Sequence, residues 1–305
     1  MKIFDLKPGM SISNAASQTD GDAVLLRLAP GIYREKVYIR NSGVSIIGMG
    51  DDPSDVVIEW DDYALFMMPD GAKRGTFRSY TFFIKGDDNR LENLSVKNTS
   101  GPGNKYGQCI ALFAEGDRFK AVNCIFDSFQ DTLFTGPLPL KEIEPGGFRG
   151  PTENDERIIG KQYYKKCRIS GDVDFIFGSS VCFFEECDIV SKGPGYCAAP
   201  STYEGCEYGY VFSMCRFINE GCPGGSAFIA RPWRDYGRAV LLSCYLGEHI
   251  NEKGFHDWDK TSAHDKFYFA EYGSYGPGAS ENRADFVHFP DDSSLKFYSK
   301  DKVLS

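Results

Sequence analysis

The sequence predicts an all-β fold, a parallel β-solenoid, formed as a single domain by residues 1–305. Short segments with alternating apolar and polar residues recur along the chain, as half-buried strands do. Helical periodicity is almost absent, and residues 11–18 (SISNAASQ) form the only candidate helix. The connections are longer than hairpin turns, which favours stacked solenoid turns over a β-sandwich.

Six of these segments align on a small polar or thiol residue that stands two positions before an apolar one. The aligned residues are Asn93, Cys124, Cys167, Cys187, Cys215 and Cys244. Equivalent positions on successive turns stack about 4.8 Å apart. We therefore expect the five cysteines to form an interior ladder of small, buried side chains. No histidine is matched to them, which disfavours a catalytic thiol.

The interval between Cys124 and Cys167 is the longest of the set and contains residues 137–160. This stretch is rich in proline, glycine and charge, which predicts an inserted loop. Loops that project from one edge of a solenoid often flank a binding groove. We expect this loop to lie beside such a groove.

Composition excludes several classes of partner and site. The net charge of −9 disfavours nucleic acid and anionic membranes as partners, and no run reaches the ~20 apolar residues of a membrane span. Ten cysteines without a visible signal peptide predict free thiols in the cytoplasm, or secretion if the sequence was trimmed. The four histidines show no HExxH spacing and no CxxC pair exists, so no metal or cofactor is expected. A monomer is expected.

Two carboxylates stand in strand-like surroundings. Asp131 follows Cys124 by seven residues, and Asp174 follows Cys167 by the same interval. They should therefore occupy equivalent places on adjacent turns. Carboxylates so close repel each other, which raises the pKa of one of them and provides one nucleophile or base and one general acid. Arg231 beside one carboxylate would keep it ionised, and Gln108 could border the same groove.

Seven motifs occur along the chain in this order: GIYREKV (31–37), VSIIGMG (44–50), TFRSY (76–80), GQCIAL (107–112), FQDTLF (129–134), GDVDFIFG (171–178) and ARPW (230–233). Together they resemble the pectin methylesterases, or pectinesterases, of bacterial type. The resemblance runs from about residue 24 to residue 290. It implies a right-handed parallel β-helix and an esterase that releases methanol from homogalacturonan or methylated oligogalacturonides.

The resemblance also implies roles for individual residues. Asp174 matches the nucleophile and Asp131 the acid/base, while Gln108 and Gln130 match the donors to the tetrahedral oxyanion. Arg231 matches the arginine that orients and ionises the nucleophile. Trp233 matches an aromatic residue that stacks on the sugar. Phe134, Phe177, Trp258 and Phe77 are further candidates for binding substrate in the groove, with core packing as the alternative for these four.

Other functions stay open at this stage. The family also includes proteins described as acyl-CoA thioesterases, and a non-catalytic pectin-binding solenoid is a further alternative. Polygalacturonases and pectate lyases share the β-helix, but the glutamines around Asp131 fit oxyanion stabilisation better. The sequence departs from the family at Ala230, where glycine is usual, and at Phe134, where tyrosine is usual.

Overall fold

The computed structural model describes residues 1–18 and 22–305. Its strands are β1 Lys2–Leu6, β2 Val24–Leu28, β3 Gly31–Arg34, β4 Val37–Ile39, β5 Val44–Gly48, β6 Val56–Trp60, β7 Phe82–Lys85, β8 Arg90–Glu92, β9 Ser95–Asn98, β10 Leu112–Glu115, β11 Phe119–Val122, β12 Ile125–Asp127, β13 Leu133–Thr135, β14 Lys161–Lys165, β15 Arg168–Gly178, β16 Val181–Glu185, β17 Asp188–Pro200, β18 Tyr210–Ser213, β19 Arg216–Asn219, β20 Ala227–Ala230, β21 Arg238–Leu242, β22 Tyr245–Leu246, β23 Tyr268–Tyr272 and β24 Val287–His288.

Helices are few and short. They are α1 Ile12–Ala16, α2 Gly103–Tyr106 and α3 Lys300–Val303, with 3-10 turns at Pro53–Asp55, Thr76–Arg78, Thr261–Ala263 and Asp292–Tyr298. The predicted N-terminal helix is confirmed, and the side chain of Ser11 caps it by accepting from the N–H of Asn14. In the described part of the chain, no helix is long and apolar enough to cross a membrane.

The strands form a parallel β-helix, which confirms the predicted fold class. One sheet stacks eleven strands in the order β1-β2-β5-β8-β11-β14-β16-β18-β21-β23-β24. The second, branched sheet contains the other thirteen strands and covers two further faces of the helix. The long strands β15 and β17 join these faces, because each pairs with one set of strands near its start and another near its end.

The interior is filled by stacked apolar side chains, including the predicted cysteine ladder. Cys124, Cys167, Cys187, Cys215 and Cys244 are all buried and follow one another through the turns, because each next strand donates an N–H to the preceding ladder carbonyl. Their sulfurs lie near backbone carbonyls of the same or adjoining turn. The ladder is therefore a packing feature.

The alignment of Asn93 with this ladder is wrong by one residue. Lys120 pairs with Arg90, which places Leu94 beside Cys124. Asn93 instead takes a left-handed backbone with φ of 53° at the turn, and its amide donates to the carbonyls of Gly48 and Gly50. Asparagine tolerates this conformation better than most residues, and its short polar side chain misled the alignment.

The inserted stretch, residues 137–160, connects β13 to β14 without any helix or strand. Leu138 and Phe148 bury their side chains. Lys85 bridges Glu115 at 2.6 Å and Asp155 at 2.7 Å, which ties the end of the loop to the second sheet. The loop is therefore held against the same face that carries β13 and β15.

Candidate active site

Asp131 and Asp174 lie where their spacing predicted, at equivalent positions on adjacent turns. Leu133 pairs with Ile176, which sets this register, and the N–H of Asp131 donates to the carbonyl of Val173 at 3.0 Å. Both aspartates have a left-handed backbone, with φ of 64° and 50°. Few non-glycine residues adopt it, and both side chains reach the same groove.

The backbone of β15 is irregular where it presents Asp174. Its register against β17 shifts on both sides of Val173. Gly171 permits this path, because a Cβ there would lie 2.3 Å from the Cβ of Phe175 and 2.4 Å from the carbonyl oxygen of Phe129. The irregular segment lets a carboxylate reach the groove while Phe175 beside it remains in the core.

Arg231 holds Asp174 through two hydrogen bonds. Its Nε donates to Oδ1 at 2.8 Å and its Nη2 donates to Oδ2 at 2.6 Å. The guanidinium carbon lies 3.7 Å from the ring centroid of Tyr196 and 3.5 Å from that of Trp258. A bidentate pair fixes the orientation of a carboxylate, and the two aromatic faces stabilise the cation.

Burial and charge separate the two carboxyl groups. Burial raises the pKa of Asp174, and the hydrogen bonds and charge of Arg231 oppose this rise. Burial raises the pKa of Asp131 well above its usual range, and the negative charge of Asp174 raises it further. Asp174 is thus the group poised to act as a carboxylate, and Asp131 the group poised to carry a proton.

Gln108 and Gln130 line the same groove. Both are partly exposed. Neither side-chain amide has a hydrogen-bond partner among residues 1–18 and 22–305, whereas Asp131 and Asp174 stand close by in the groove. Two unengaged N–H donors beside a carboxylate can stabilise a negative oxygen that develops on a bound carbonyl group.

Four of the five predicted aromatic residues line the groove: Phe77, Phe177, Trp233 and Trp258. The prediction that Phe134 belongs with them is wrong. Phe134 is fully buried, with its ring centroid 4.6 Å from that of Phe113 and 4.9 Å from that of Phe177. Its environment is aromatic, which suits a phenylalanine better than a side chain with a hydroxyl.

The groove has a volume of about 340 Å³ and includes residues that the sequence did not single out. Ala199 forms part of its floor at the register position next to Phe177, so a small residue interrupts the aromatic column there. The other lining residues to which the sequence assigned no role are Thr76, Ile143, Glu144, Gly147, Phe148 and Arg234, and four of them belong to the inserted loop that was expected beside the groove. Only the register of β17 against β15 could have placed Ala199 in the groove. The residues of the inserted loop follow no periodic pattern in the sequence.

One cluster offers possible metal ligands. His256, Asp257 and Asp259 bring one ligand atom each to within 4.8 Å of one another, beside Trp258. Asp257 also pairs with His264 at 2.9 Å. These contacts explain the cluster as a local network at the edge of the groove.

The chain is similar to known proteins over most of its length. A family model described as Pectinesterase matches residues 10–137 and 157–295, leaving most of the inserted loop outside the match. Pectinesterase 31 of Arabidopsis thaliana is 33% identical over 260 residues, which cover 84% of this chain and 74% of that protein. The chain spans about half the length of several longer curated relatives that it matches.

Solved structures show the same fold. Pectin methylesterase PemA from Erwinia chrysanthemi superposes with a TM-score of 0.80 at 24% identity, covering 100% of this chain and 96% of that one. A pectin methylesterase in complex with hexasaccharide VII gives a TM-score of 0.77 at 26% identity, covering 97% and 92%. Because these similar proteins come from both plants and bacteria, the bacterial type stays a prediction.

Proposed function

Because the chain belongs to the pectinesterase family, we propose that it is a carboxylic ester hydrolase that removes methyl esters from homogalacturonan or its oligomers. The observation that carries the proposal is the bidentate pair of Arg231 with Asp174 beside a second carboxyl group of raised pKa, Asp131. This arrangement supplies an ionised nucleophile and a proton donor in one groove.

The residues can carry both halves of the reaction. Asp174 attacks the ester carbonyl carbon, and Gln108 and Gln130 donate hydrogen bonds to the oxyanion of the tetrahedral intermediate. Loss of one such donor typically costs roughly 2.7–4 kcal/mol in the activation barrier. Asp131 protonates the departing methoxide oxygen as its bond to the carbonyl carbon breaks, so methanol leaves and an acid anhydride remains on Asp174. Asp131 then takes a proton from water as the water attacks the anhydride, and this releases the galacturonate carboxylate.

The test is methanol release from highly methylated pectin and from short methylated oligogalacturonides, by the wild type and Asp174→Ala in parallel. We expect the variant to lose at least about 10³-fold in kcat while its circular dichroism spectrum and unfolding temperature show an intact fold. Full activity in the variant would contradict the mechanism. A wild type that cleaves an acyl-CoA but no methyl ester would favour the thioesterase alternative.

We also propose a monomer acting in the cytoplasm on imported oligogalacturonides. The ten cysteines support a reducing compartment, because all are unpaired and nine are buried. Light scattering of the purified protein tests the monomer. Cell fractionation tests the compartment, and recovery of the protein outside the cytoplasm would contradict the proposal.

A further inference from the structure

A second cavity, with a volume of about 610 Å³, lies beside the groove and is mostly basic. Its wall contains four cationic and two anionic side chains: Lys36, Arg74, Arg78, Arg149, Asp62 and Glu153. We call it the basic cavity. Two positive charges therefore remain in excess at this place, although the chain as a whole carries a net charge of −9.

The basic cavity and the catalytic groove share two walls. Phe77 lines the groove and its neighbour Arg78 lines the basic cavity, and the same alternation holds for Phe148 and Arg149. The two segments touch, because a Cβ on Gly150 would lie 2.7 Å from the Cβ of Phe77. A sugar chain that extends from the groove over this wall would reach the basic cavity.

Two arginines of the basic cavity, Arg78 and Arg149, have no carboxylate partner among the described residues. Asp62 pairs with the other two cations: its oxygens lie 2.5 Å from Lys36 Nζ and 2.7 Å from Arg74 Nη1. Arg78 donates only to backbone carbonyls, those of Arg74 and Lys73. Among the described residues, neither Arg78 nor Arg149 forms an ion pair.

Two further charged groups, Glu153 and Lys36, contribute to the charge of the cavity. Glu153 accepts the N–H of Gly150 at 3.0 Å. Burial lowers the pKa of Lys36, and the positive charges of Arg74 and Arg78 lower it further against the opposing effect of Asp62. The excess positive charge of the basic cavity therefore rests on its arginines, whose guanidinium groups stay protonated.

We propose that the basic cavity binds the free carboxylate of an unesterified galacturonate unit in the substrate chain, with Arg78 and Arg149 as specificity-determining residues. This inference rests on the proposed function for the identity of the sugar chain. The planar forks of arginine match a carboxylate, and each turnover of a methylesterase creates such a carboxylate. Tyr38, which is 43% exposed, adds an aromatic wall to the cavity.

The inserted loop supplies one of the two arginines. Arg149 belongs to residues 138–156, which the Pectinesterase family model leaves unmatched. Arg149 is exposed, so its substitution should not disturb the core. The loop therefore gives the enzyme a preference for partly demethylated chains over fully methylated ones.

The test measures binding of an unmethylated hexagalacturonate by calorimetry to the wild type, Arg149→Gln and Lys141→Gln. Lys141 is the matched control, because it lies in the same loop and is exposed but does not line the basic cavity. We expect Arg149→Gln to bind about tenfold more weakly, as for loss of one charge-assisted hydrogen-bonded contact. Lys141→Gln should bind as the wild type does.

Kinetics provide the second measurement. With partly methylated oligomers, Arg149→Gln should raise KM about tenfold at unchanged kcat, and with fully methylated oligomers it should change neither. Equal affinity for hexagalacturonate in the wild type, Arg149→Gln and the double variant Arg78→Gln/Arg149→Gln would overturn the proposal. Binding that depends on Arg149 in a protein that releases no methanol would support the basic cavity and count against the esterase.

Discussion

Asp131 stands in the same register as Asp174, one turn earlier in the β-helix and with the same left-handed backbone. The two groups differ in their surroundings rather than in their position, because only Asp174 is paired with Arg231. The repeat of the fold thus supplies two equivalent carboxyl groups, and a single guanidinium makes them chemically different.

Asp131→Asn should abolish methanol release and stabilise the protein at neutral pH. The pKa of Asp131 is raised in the folded state by burial. Such a group contributes stability that is fully present below the unfolded pKa and is lost as pH rises through the folded pKa. Asparagine does not ionise, so its variant escapes this loss.

Thermal unfolding at about pH 3.5 and at pH 7 checks this prediction, since the ordinary pKa of aspartate is about 3.9. The unfolding temperature of Asp131→Asn should exceed that of the wild type by more at pH 7 than at pH 3.5. A variant that is less stable than the wild type at pH 7 would show that the Asp131 carboxyl stabilises the fold.

Arg231→Gln should move the acid limb of the pH–rate profile to higher pH. Its positive charge opposes the rise that burial imposes on the pKa of Asp174. Without that charge the pKa of Asp174 rises, so the nucleophile becomes ionised only at higher pH. The measurement is kcat/KM against pH, which reports the free enzyme.

Arg234→Gln is the matched control for this profile. Arg234 also lines the groove, but its guanidinium lies over the ring of Trp233, 4.6 Å from the centroid, and makes no bond to Asp174. Its loss should change KM and leave the acid limb in place. An acid limb that does not move in Arg231→Gln would contradict the assigned role of Arg231.

The sequence was sufficient for those parts of the site that follow from the repeat. Equal distances from Cys124 and Cys167 placed Asp131 and Asp174 together, because a solenoid stacks equivalent residues. The same reasoning failed at Asn93, because Leu94 and not Asn93 occupies the position of the cysteines on that turn.

The sequence did not predict contacts that depend on how deeply a side chain is buried or on the path of the inserted loop. Phe134 and Phe177 are register partners in one aromatic column, yet only Phe177 reaches the groove. The approach of Arg149 to Arg78 depends on the course of the inserted loop, which has no strand or helix to set it. Neither burial nor loop course leaves a periodic trace in the sequence.

Trp258→Leu and Trp233→Leu should separate chemistry from binding. Trp258 lies against the guanidinium of Arg231, 3.5 Å from centroid to carbon, whereas Trp233 contacts the edge of Phe177 at 5.7 Å between centroids. Loss of Trp258 removes one of the two aromatic faces that hold Arg231 and should lower kcat about tenfold, as for a cation–π contact worth roughly 1 kcal/mol or more. Loss of Trp233 should mainly raise KM. Steady-state kinetics of both variants on one methylated oligomer check this prediction. Equal effects of the two substitutions on kcat would contradict the assigned roles.

Ala199→Leu should close the groove while the β-helix remains folded. Ala199 follows Phe177 in the register of the second sheet and is the small residue on which the floor of the groove depends. Its side chain is 1% exposed, so a leucine must displace its neighbours, at a cost of roughly 1–3 kcal/mol in the free energy of unfolding. Displacing the substrate by even about 1 Å can reduce the rate 10²-fold.

The matched control is Ala199→Gly, which keeps the space open. We expect Ala199→Leu to lower kcat/KM for methanol release by about 10²-fold and Ala199→Gly to stay close to the wild type, with both proteins folded by circular dichroism. If Ala199→Leu retained full activity, the ester would have to bind elsewhere than over Ala199. The groove between Phe177 and Arg231 would then not be the place where Asp174 meets its substrate.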